Sequence, residues 1–174
     1  MNETLKVLEN RRSCRNFKSD MVKEEDLKAI IKAGTYAATG MGKMSPVIIA
    51  VTDPALRDEL SEENRKIGGW DAGFDPFYGA PVILIVLADK DVPTYVYDGS
   101  LVMGTLMNAA ESLGVASIWI HRAKEECESD FGKRILEKLG IKGNYEGIGH
   151  CALGYAAEPA KAPVPRKDNY VYCI

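Results

Sequence analysis

Residues 98–121 constrain the fold more than any other part of the chain. They read DGSLVMGTLMNAAESLGVASIWIH, a helix pattern that leads directly into a strand pattern. Asp98 is the candidate N-cap of the helix, Gly114 stands where a left-handed C-cap is expected, and the strand covers 115–120. At about 100° per residue, an arc of about 160° is apolar. It carries Val102, Met103, Leu106, Met107, Ala109, Ala110 and Leu113.

The opposite side of this helix is small and almost uncharged. It carries Gly104, Thr105, Asn108 and Ser112, and Glu111 is its only charged residue. Side chains of this size favour close contact with another surface rather than with open water. A helix covered on both sides belongs either to a domain core or to a subunit interface, and the periodicity does not decide between them.

The rest of the chain alternates between helix and strand patterns. Helices are predicted over 4–9, 24–38, 54–66 and 125–139, and strands over 47–51, 81–88 and 145–155. Residues 39–46 and 67–79 are predicted loops, because they are rich in glycine and lack a period. The proline-rich tail, residues 156–174, is predicted to run extended over a surface.

Length and composition limit the classes of protein to which the chain can belong. Its 174 residues predict one domain over 1–174, and a net charge of −3 argues against nucleic-acid binding. No apolar run approaches the ~20 residues of a membrane span, and the N-terminus lacks a signal-peptide core. The four cysteines lie far apart, which favours reduced thiols and a cytoplasmic location over disulfides. With only two histidines, no metal site is expected.

Two segments carry the residue types of an anion site. The run from Arg11 to Arg15 places three guanidinium groups and the hydroxyl of Ser13 within five residues, and such donors suit a phosphate. The alternative is a turn whose charges face water. Loop 39–46 contains Gly40 and Gly42, whose backbone could approach a ligand, although most glycine loops are only turns.

The usual catalytic patterns are absent. Neither dinucleotide-binding nor P-loop spacing occurs, and Cys14 is interpreted as a bystander thiol. His121 and His150 border or lie in predicted strands, where a hydrogen-bonded structural histidine is the usual finding. The carboxylates are dispersed and form no acid/base pair. A chain with phosphate-binding arginines and no nucleophile of its own would depend on a bound cofactor for reactivity.

Taken together, these segments resemble the FMN-dependent nitroreductase family over nearly the whole chain. The blocks that carry the resemblance, in order, are Arg11 to Phe17, Tyr36 to Lys43, Phe77 to Pro81, Asp98 to Asn108, Gly114 to His121, and Gly149 to Tyr155 followed by Arg166-Lys167. None is specific alone, but their order is. The resemblance implies an α+β fold, a sandwich with a mixed, mainly antiparallel sheet flanked by helices, in an entwined homodimer.

The resemblance also implies a cofactor and a set of site residues. FMN would lie in pockets shared between subunits. Its phosphate and ribityl chain would be held by Arg11, Arg12, Ser13 and Arg15, with Arg166 and Lys167 of the tail reaching the same phosphate. Thr39, Gly40 and Met41 would approach the flavin from the other subunit. One face and edge of the flavin would be lined by Ile118, Trp119, Ile120 and His121, with a backbone N–H near N5.

Two departures from the family pattern concern reactivity and substrate. Gly42 and Met44 stand where many relatives carry Asn and Gln, so those contacts with the flavin edge are in doubt. The substrate-shaping insertion of longer relatives is reduced here to loop 67–79. Trp70 and Phe74 in this loop are candidates for a mobile aromatic lid, against the alternative that they only pack beneath it.

The predicted function is an oxidoreductase in which NADH or NADPH reduces FMN and the flavin then reduces a nitroaromatic, a quinone or a similar small acceptor. The flavin carries the chemistry, and no side chain is assigned a catalytic role. Three alternatives remain. They are another flavin chemistry on the same fold (dehalogenation, flavin destruction or azoline oxidation), an FMN carrier or sensor without turnover, and a phosphate-ligand module without flavin.

Overall fold

The computed structural model describes residues 1–174 as a four-stranded sheet enclosed between helices. The helices are α1 (Glu3–Asn10), α2 (Glu24–Gly34), α3 (Pro54–Gly68), α4 (Tyr95–Ser112), α5 (Ala123–Glu128) and α6 (Asp130–Lys138). The strands are β1 (Pro46–Val51), β2 (Val82–Asp89), β3 (Ala116–Ile120) and β4 (Tyr145–Gly154). A short 3₁₀ turn, Gly40–Gly42, precedes β1.

The sheet has the order β1-β2-β4-β3, and each neighbouring pair is antiparallel. The predicted α+β sandwich is therefore confirmed. Its only parallel contribution is an isolated bridge between Ser13 and Ser117. Strand β2 is buried over nearly its full length, which explains its continuous apolar sequence.

Successive residues of β2 point into two separate cores. Ile83, Ile85 and Leu87 belong to the first cluster, which includes Leu60 of α3 and Phe131 of α6. Val82, Leu84 and Val86 belong to the second cluster, which contains Ile30 of α2 and the apolar side of α4. Helices on both faces of one sheet thus bury both sides of its central strand.

Helix α4 differs from its prediction at both ends. It begins at Tyr95 rather than after Asp98, so Asp98 is not an N-cap but a buried residue of the first turn. The carboxylate of Asp98 instead accepts hydrogen bonds from side chains and backbone outside the helix. Leu113 lies beyond the last helical turn and is exposed, whereas Gly114 has the predicted left-handed conformation, with a φ of 71°.

Close contact between α4 and β4 depends on Gly99. A β-carbon at this position would lie 2.5 Å from Cγ1 of Ile148. Because that distance is shorter than real carbon contacts allow, only glycine lets the helix lie at its present distance from the strand. The helix is therefore fixed against the sheet near its N-terminal end.

Two further helix boundaries were predicted wrongly. Helix α2 ends at Gly34 rather than near residue 38, and turns follow it. The single helix predicted over 125–139 is divided into α5 and α6 at Ser129, whose backbone is extended and whose hydroxyl accepts from the N–H of Gly132 at 3.3 Å. Ser129 ends α5 and caps the start of α6. Apolar periodicity does not reveal such a boundary.

The tail has no helix, in agreement with the prediction. Its start is fixed by a hydrogen bond from the N–H of Ala157 to the carbonyl of Asn16 at 3.0 Å. Residues 157–174 are exposed. None of the helices has the length and apolar character needed to span a bilayer.

Candidate functional site

The arginine cluster, defined here as Arg11, Arg12, Ser13 and Arg15, lies beside the beginning of β3. Ser13 forms the parallel bridge with Ser117, and the N–H of Cys14 donates to the carbonyl of Ser117 at 3.0 Å. The next residues of β3 are Ile118 to Ile120. Two segments that are a hundred residues apart in sequence, and that the resemblance assigns to one ligand, are thus neighbours in the fold.

Several hydrogen-bonding atoms in this region are buried without a partner. They are Nη1 of Arg11, Nε of Arg12 and Oγ of Ser117. Another nitrogen of Arg12, Nη1, donates to the carbonyls of Glu9 at 2.8 Å and Arg11 at 2.7 Å, so its guanidinium group is held in place. Ser13 and Arg15 are exposed. Buried N–H donors without acceptors are costly, and a phosphate group would satisfy them.

Strand β3 presents its side chains alternately to the two faces of the sheet. Ile118 and Ile120 point into the first core cluster, and Trp119 packs against the second. The indole of Trp119 lies over Gly149, where a β-carbon would be 2.6 Å from Nε1. That Nε1 is buried and has no acceptor, and His121 beyond the strand is exposed. The unpartnered donors at this edge of the sheet therefore fit a ligand that carries a phosphate.

Thiolate chemistry is disfavoured near this region. Burial raises the pKa of Cys151 to about 12, although the charge of Arg11 acts in the opposite direction. Burial, followed by nearby carboxylates, likewise raises the pKa of Cys127 to about 12. Both side chains stay protonated near neutral pH, so neither is a ready nucleophile. All four cysteines are free.

The glycine loop, residues 39–42, is held by Asp98. Oδ1 of Asp98 accepts from the N–H of Gly40 at 2.9 Å, and Oδ2 accepts from the hydroxyls of Ser45 at 3.2 Å and Thr94 at 3.0 Å. Met41 has a left-handed φ of 54° and is 76% exposed. The loop thus exposes the apolar side chain of Met41 while its backbone is anchored by Asp98. Asp98 was predicted to cap a helix instead.

The glycine loop and the arginine cluster lie at opposite ends of α4. The loop is bound to Asp98 in the first turn, whereas Ser117 follows closely on Val115, whose N–H donates to Ala110 in the last turn. At 1.5 Å per residue, the helix separates Asp98 from Ser112 by about 20 Å. A single chain therefore does not bring Thr39, Gly40 and Met41 to the arginine cluster.

Arg166 and Lys167 are exposed in the tail, and no hydrogen bond or ion pair joins them to the arginine cluster. The ammonium group of Lys167 instead lies 5.6 Å from the centre of the Tyr170 ring.

The aromatic residues of loop 67–79 pack on one another. The ring centres of Trp70 and Phe74 are 5.4 Å apart, those of Phe74 and Tyr78 are 6.1 Å apart, and Trp70 and Phe74 are each 39% exposed. Nη1 of Arg65 donates to the carbonyl of Trp70 at 2.6 Å. Trp70 and Phe74 therefore form a partly exposed aromatic surface.

Asp75 anchors the base of this loop. Its carboxylate accepts from the guanidinium of Arg57, from the hydroxyl of Ser61 at 2.8 Å, and from two backbone N–H groups. Burial alone would raise the pKa of Asp75, but these hydrogen bonds outweigh burial and hold the pKa below its usual 3.8. The end of the loop that follows Phe74 is therefore fixed.

Three buried polar residues at the end of β3 were not predicted as site residues. Nδ2 of Asn64 on α3 donates to the carbonyl of His121 at 2.9 Å. The ring of His150 on β4 contacts the carbonyl of Ile120 at 3.3 Å through Nδ1 and Glu126 of α5 at 2.5 Å through Nε2. His150 is thus hydrogen-bonded, as expected, but its buried carboxylate partner was missed. The sequence held one signal for this cluster, a polar residue, His150, inside the apolar pattern of β4.

Comparison with known proteins gives a family and close structural relatives. The sequence model of the Nitroreductase family matches residues 8–155. A protein of Archaeoglobus fulgidus named "Putative NADH dehydrogenase/NAD(P)H nitroreductase" is 27% identical, over 98% of this chain and 91% of its own length.

Two solved structures match the whole fold. A nitroreductase with bound FMN from Bacteroides fragilis gives a TM-score of 0.90 at 28% identity and covers 100% of both chains. A nitroreductase with bound FMN from Desulfitobacterium hafniense gives a TM-score of 0.88 at 30% identity and covers 99% of both chains. An iodotyrosine deiodinase bound to FMN and 3-iodo-L-tyrosine, at 21% identity and a TM-score of 0.75, shares the fold alone.

Proposed function

The chain belongs to the nitroreductase family, and from this premise we propose that it is an FMN-dependent oxidoreductase. It would take a hydride from NADH or NADPH and pass it to an electron-poor acceptor such as a nitroaromatic or a quinone. The observation that carries the proposal is the set of buried, unpartnered guanidinium nitrogens of Arg11 and Arg12 beside β3. Relatives that match the whole chain contain FMN, which supports the choice of ligand.

In this proposal the arginine cluster holds the phosphate and ribityl chain of the cofactor. Arg11 and Arg12 contribute fixed, partly buried donors, and Ser13 and Arg15 contribute exposed ones. The backbone of Ile118, Trp119, Ile120 and His121 would line the flavin, because the side chains of Ile118 and Ile120 point into the core. Bound FMN would supply the hydride-transfer chemistry, which no side chain of the protein provides. The side chains of the protein supply binding, orientation and a positive field rather than an acid, a base or a nucleophile.

We propose that two copies of the chain complete each site. The 20 Å of helix between the glycine loop and the arginine cluster, estimated from the helical rise, supports this arrangement. Thr39, Gly40 and Met41 of one copy would cover the cofactor held by the other, and Arg166 and Lys167 of the tail would reach the phosphate. Tyr97 and Leu101, which are 72% and 50% exposed, offer an apolar surface for the second subunit.

Residues 1–174 are proposed to form one FMN-binding domain, because both core clusters are built on the same sheet. The proposed partners are the second subunit and small-molecule acceptors, with neither nucleic acid nor membrane. Trp70 and Phe74 are proposed as the substrate-side lid, because they are half-exposed and contact each other. A cytoplasmic location stays a prediction of the sequence.

The visible absorption spectrum of the purified protein tests the cofactor. We expect the visible absorption bands of oxidised flavin to accompany the protein and to bleach when NADH or NADPH is added anaerobically. A yellow protein that no nicotinamide bleaches would be a carrier or a sensor. A colourless protein that does not take up added FMN would defeat the proposal in favour of a phosphate-ligand module.

A further inference from the structure

We propose that Asn64, His150 and Glu126 are positioning residues that fix the end of β3 for the cofactor. This inference rests on the proposed function, because it concerns how the chain holds FMN. The three residues come from three different elements, α3, β4 and α5, and are 0%, 0% and 2% exposed. His150 and Asn64 contact two consecutive backbone carbonyls, those of Ile120 and His121, and Glu126 contacts the ring of His150.

The two peptide groups that follow Ile120 and His121 are hydrogen-bonded through their carbonyls only. Their carbonyls accept from His150 and Asn64, whereas the N–H groups of the same two peptides, those of His121 and Arg122, donate to no acceptor in the chain. Arg122 has a left-handed φ of 81°, which turns the chain sharply after His121. The arrangement leaves two adjacent backbone donors at the exposed edge of β3 while their peptide planes are fixed from the buried side.

Fixed carbonyls make these N–H groups better donors. A hydrogen bond to a carbonyl polarises its peptide group, and in chains of hydrogen bonds this strengthens the next bond by about 10–30%. The contact between Glu126 and His150 adds one further hydrogen bond to this series. Because the Ile120 carbonyl can only accept, Nδ1 of His150 carries a proton and donates it. At Nε2, either the ring donates a proton to the Glu126 carboxylate or a protonated Glu126 donates to the ring.

Stability alone does not account for these residues. Buried ion pairs contribute little net stability compared with apolar residues of similar size. Oε1 of Glu126 and Oδ1 of Asn64 are both buried without a partner, which costs free energy. Two buried oxygens without a protein partner thus argue against a role limited to holding α3, α5 and β4 together.

The first test removes the amide of Asn64 while keeping its size. We expect the Asn64→Leu protein to bind FMN about tenfold more weakly, by analogy with the lower end of the loss in metal affinity when outer-shell partners of metal-ligating residues are removed. The dissociation constant is measured by quenching of FMN fluorescence on titration with apoprotein. Ser61→Ala is the matched control, because it removes a buried donor from the same helix whose acceptor is Asp75 rather than β3. It should leave FMN affinity unchanged.

The second test concerns the ring of His150. Glu126→Leu leaves Nε2 without its partner, so the ring loses the polarisation that Glu126 supplies and Nδ1 donates more weakly to the Ile120 carbonyl. Glu126→Gln keeps a hydrogen-bonding side chain of the same shape and should restore the wild-type behaviour. The readout is the midpoint potential of FMN at saturating cofactor, which a purely structural role would not move. We expect a more negative potential in Glu126→Leu, because weaker donors stabilise the reduced flavin less.

The outcomes separate this inference from the proposed function. If the wild-type protein does not bind FMN, the proposed function fails. If the wild type binds FMN but Asn64→Leu and Glu126→Leu match Ser61→Ala in affinity and in midpoint potential, the positioning role is overturned and the function stands. If Asn64→Leu does not fold, the Glu126 pair of variants decides alone.

Discussion

The backbone N–H of Gly40 donates to Oδ1 of Asp98 across 2.9 Å and ties the glycine loop to the first turn of α4. Ser45 and Thr94 donate to the other oxygen of the same carboxylate. Asp98 is only 2% exposed, so these donors replace the water that an aspartate normally requires. The helix proposed to face the second subunit and the loop proposed to reach its cofactor therefore share one anchor.

Replacing Asp98 with alanine should destabilise the chain. Three donors would lose their acceptor, and we expect the free energy of unfolding to fall by about 3 kcal/mol. Urea denaturation followed by circular dichroism measures the change. Asp20→Ala is the control, because Asp20 is exposed and its side chain makes no hydrogen bond. Equal midpoints for the two variants would show that the Asp98 anchor contributes nothing.

Replacing Arg15 with alanine should reduce the flavin content of the purified protein. Loss of one charge-assisted hydrogen bond costs about 1.5–3 kcal/mol, which corresponds to roughly 10- to 150-fold in affinity. Arg166→Ala should act in the same direction but more weakly, because Arg166 lies in the exposed tail. Lys138→Ala removes an exposed positive charge from the end of α6 and serves as the control. Undiminished flavin occupancy in Arg15→Ala would remove Arg15 from the site.

Truncating the aromatic lid should alter the second half-reaction more than the first. We expect Trp70→Ala and Phe74→Ala to raise the apparent KM for bulky acceptors, with a smaller effect on the rate at which NADH or NADPH bleaches the flavin. The two rates are separated by stopped-flow absorbance. Equal losses in both half-reactions would indicate general destabilisation of loop 67–79 instead.

Substitutions at two glycines of α4 distinguish folding from subunit association. A β-carbon at Gly104 meets no atom of the chain within 4 Å, whereas one at Gly99 would lie 2.5 Å from Ile148. Gly104→Leu should therefore fold but fail to dimerise and lose flavin, if the interface has the roughly 2,000 Å² of an obligate dimer. Gly99→Leu should instead destabilise the single chain. Analytical ultracentrifugation gives the test, and a wild-type monomer that retains flavin at micromolar concentration contradicts it.

Asp75 predicts a defined pH dependence of stability. Its folded-state pKa lies below the usual 3.8, so its contribution is present above about pH 4 and is lost as the pH falls through the folded value. Asp75→Asn should thus be less stable than wild type at pH 6, and the difference should shrink below pH 4. Chemical denaturation across this range provides the measurement. A difference that does not change with pH would mean that ionisation of Asp75 is not what stabilises the loop.

The sequence by itself was sufficient for the architecture and the family. Apolar periodicity located all four strands and predicted five helices, the last of which spans both α5 and α6, because burial against a sheet imposes a period that is visible in one dimension. The ordered motifs from Arg11 to Lys167 indicated the nitroreductase family, which the family model then matched. Errors occurred at element ends, such as Ser129 and the start of α4, where local hydrogen bonds rather than periodicity set the boundary.

Only the tertiary structure decided which polar residues work together. Asn64 and His121 are 57 positions apart, and Gly40 and Asp98 are 58 positions apart. The sequence suggested that Asp98 was a cap and that the carboxylates formed no pair, whereas folding buries Asp98 as an anchor and joins Glu126 to His150. A hydrogen bond depends on distances within about 3 Å and on direction, and residue order fixes neither until the sheet register and the helix packing are known.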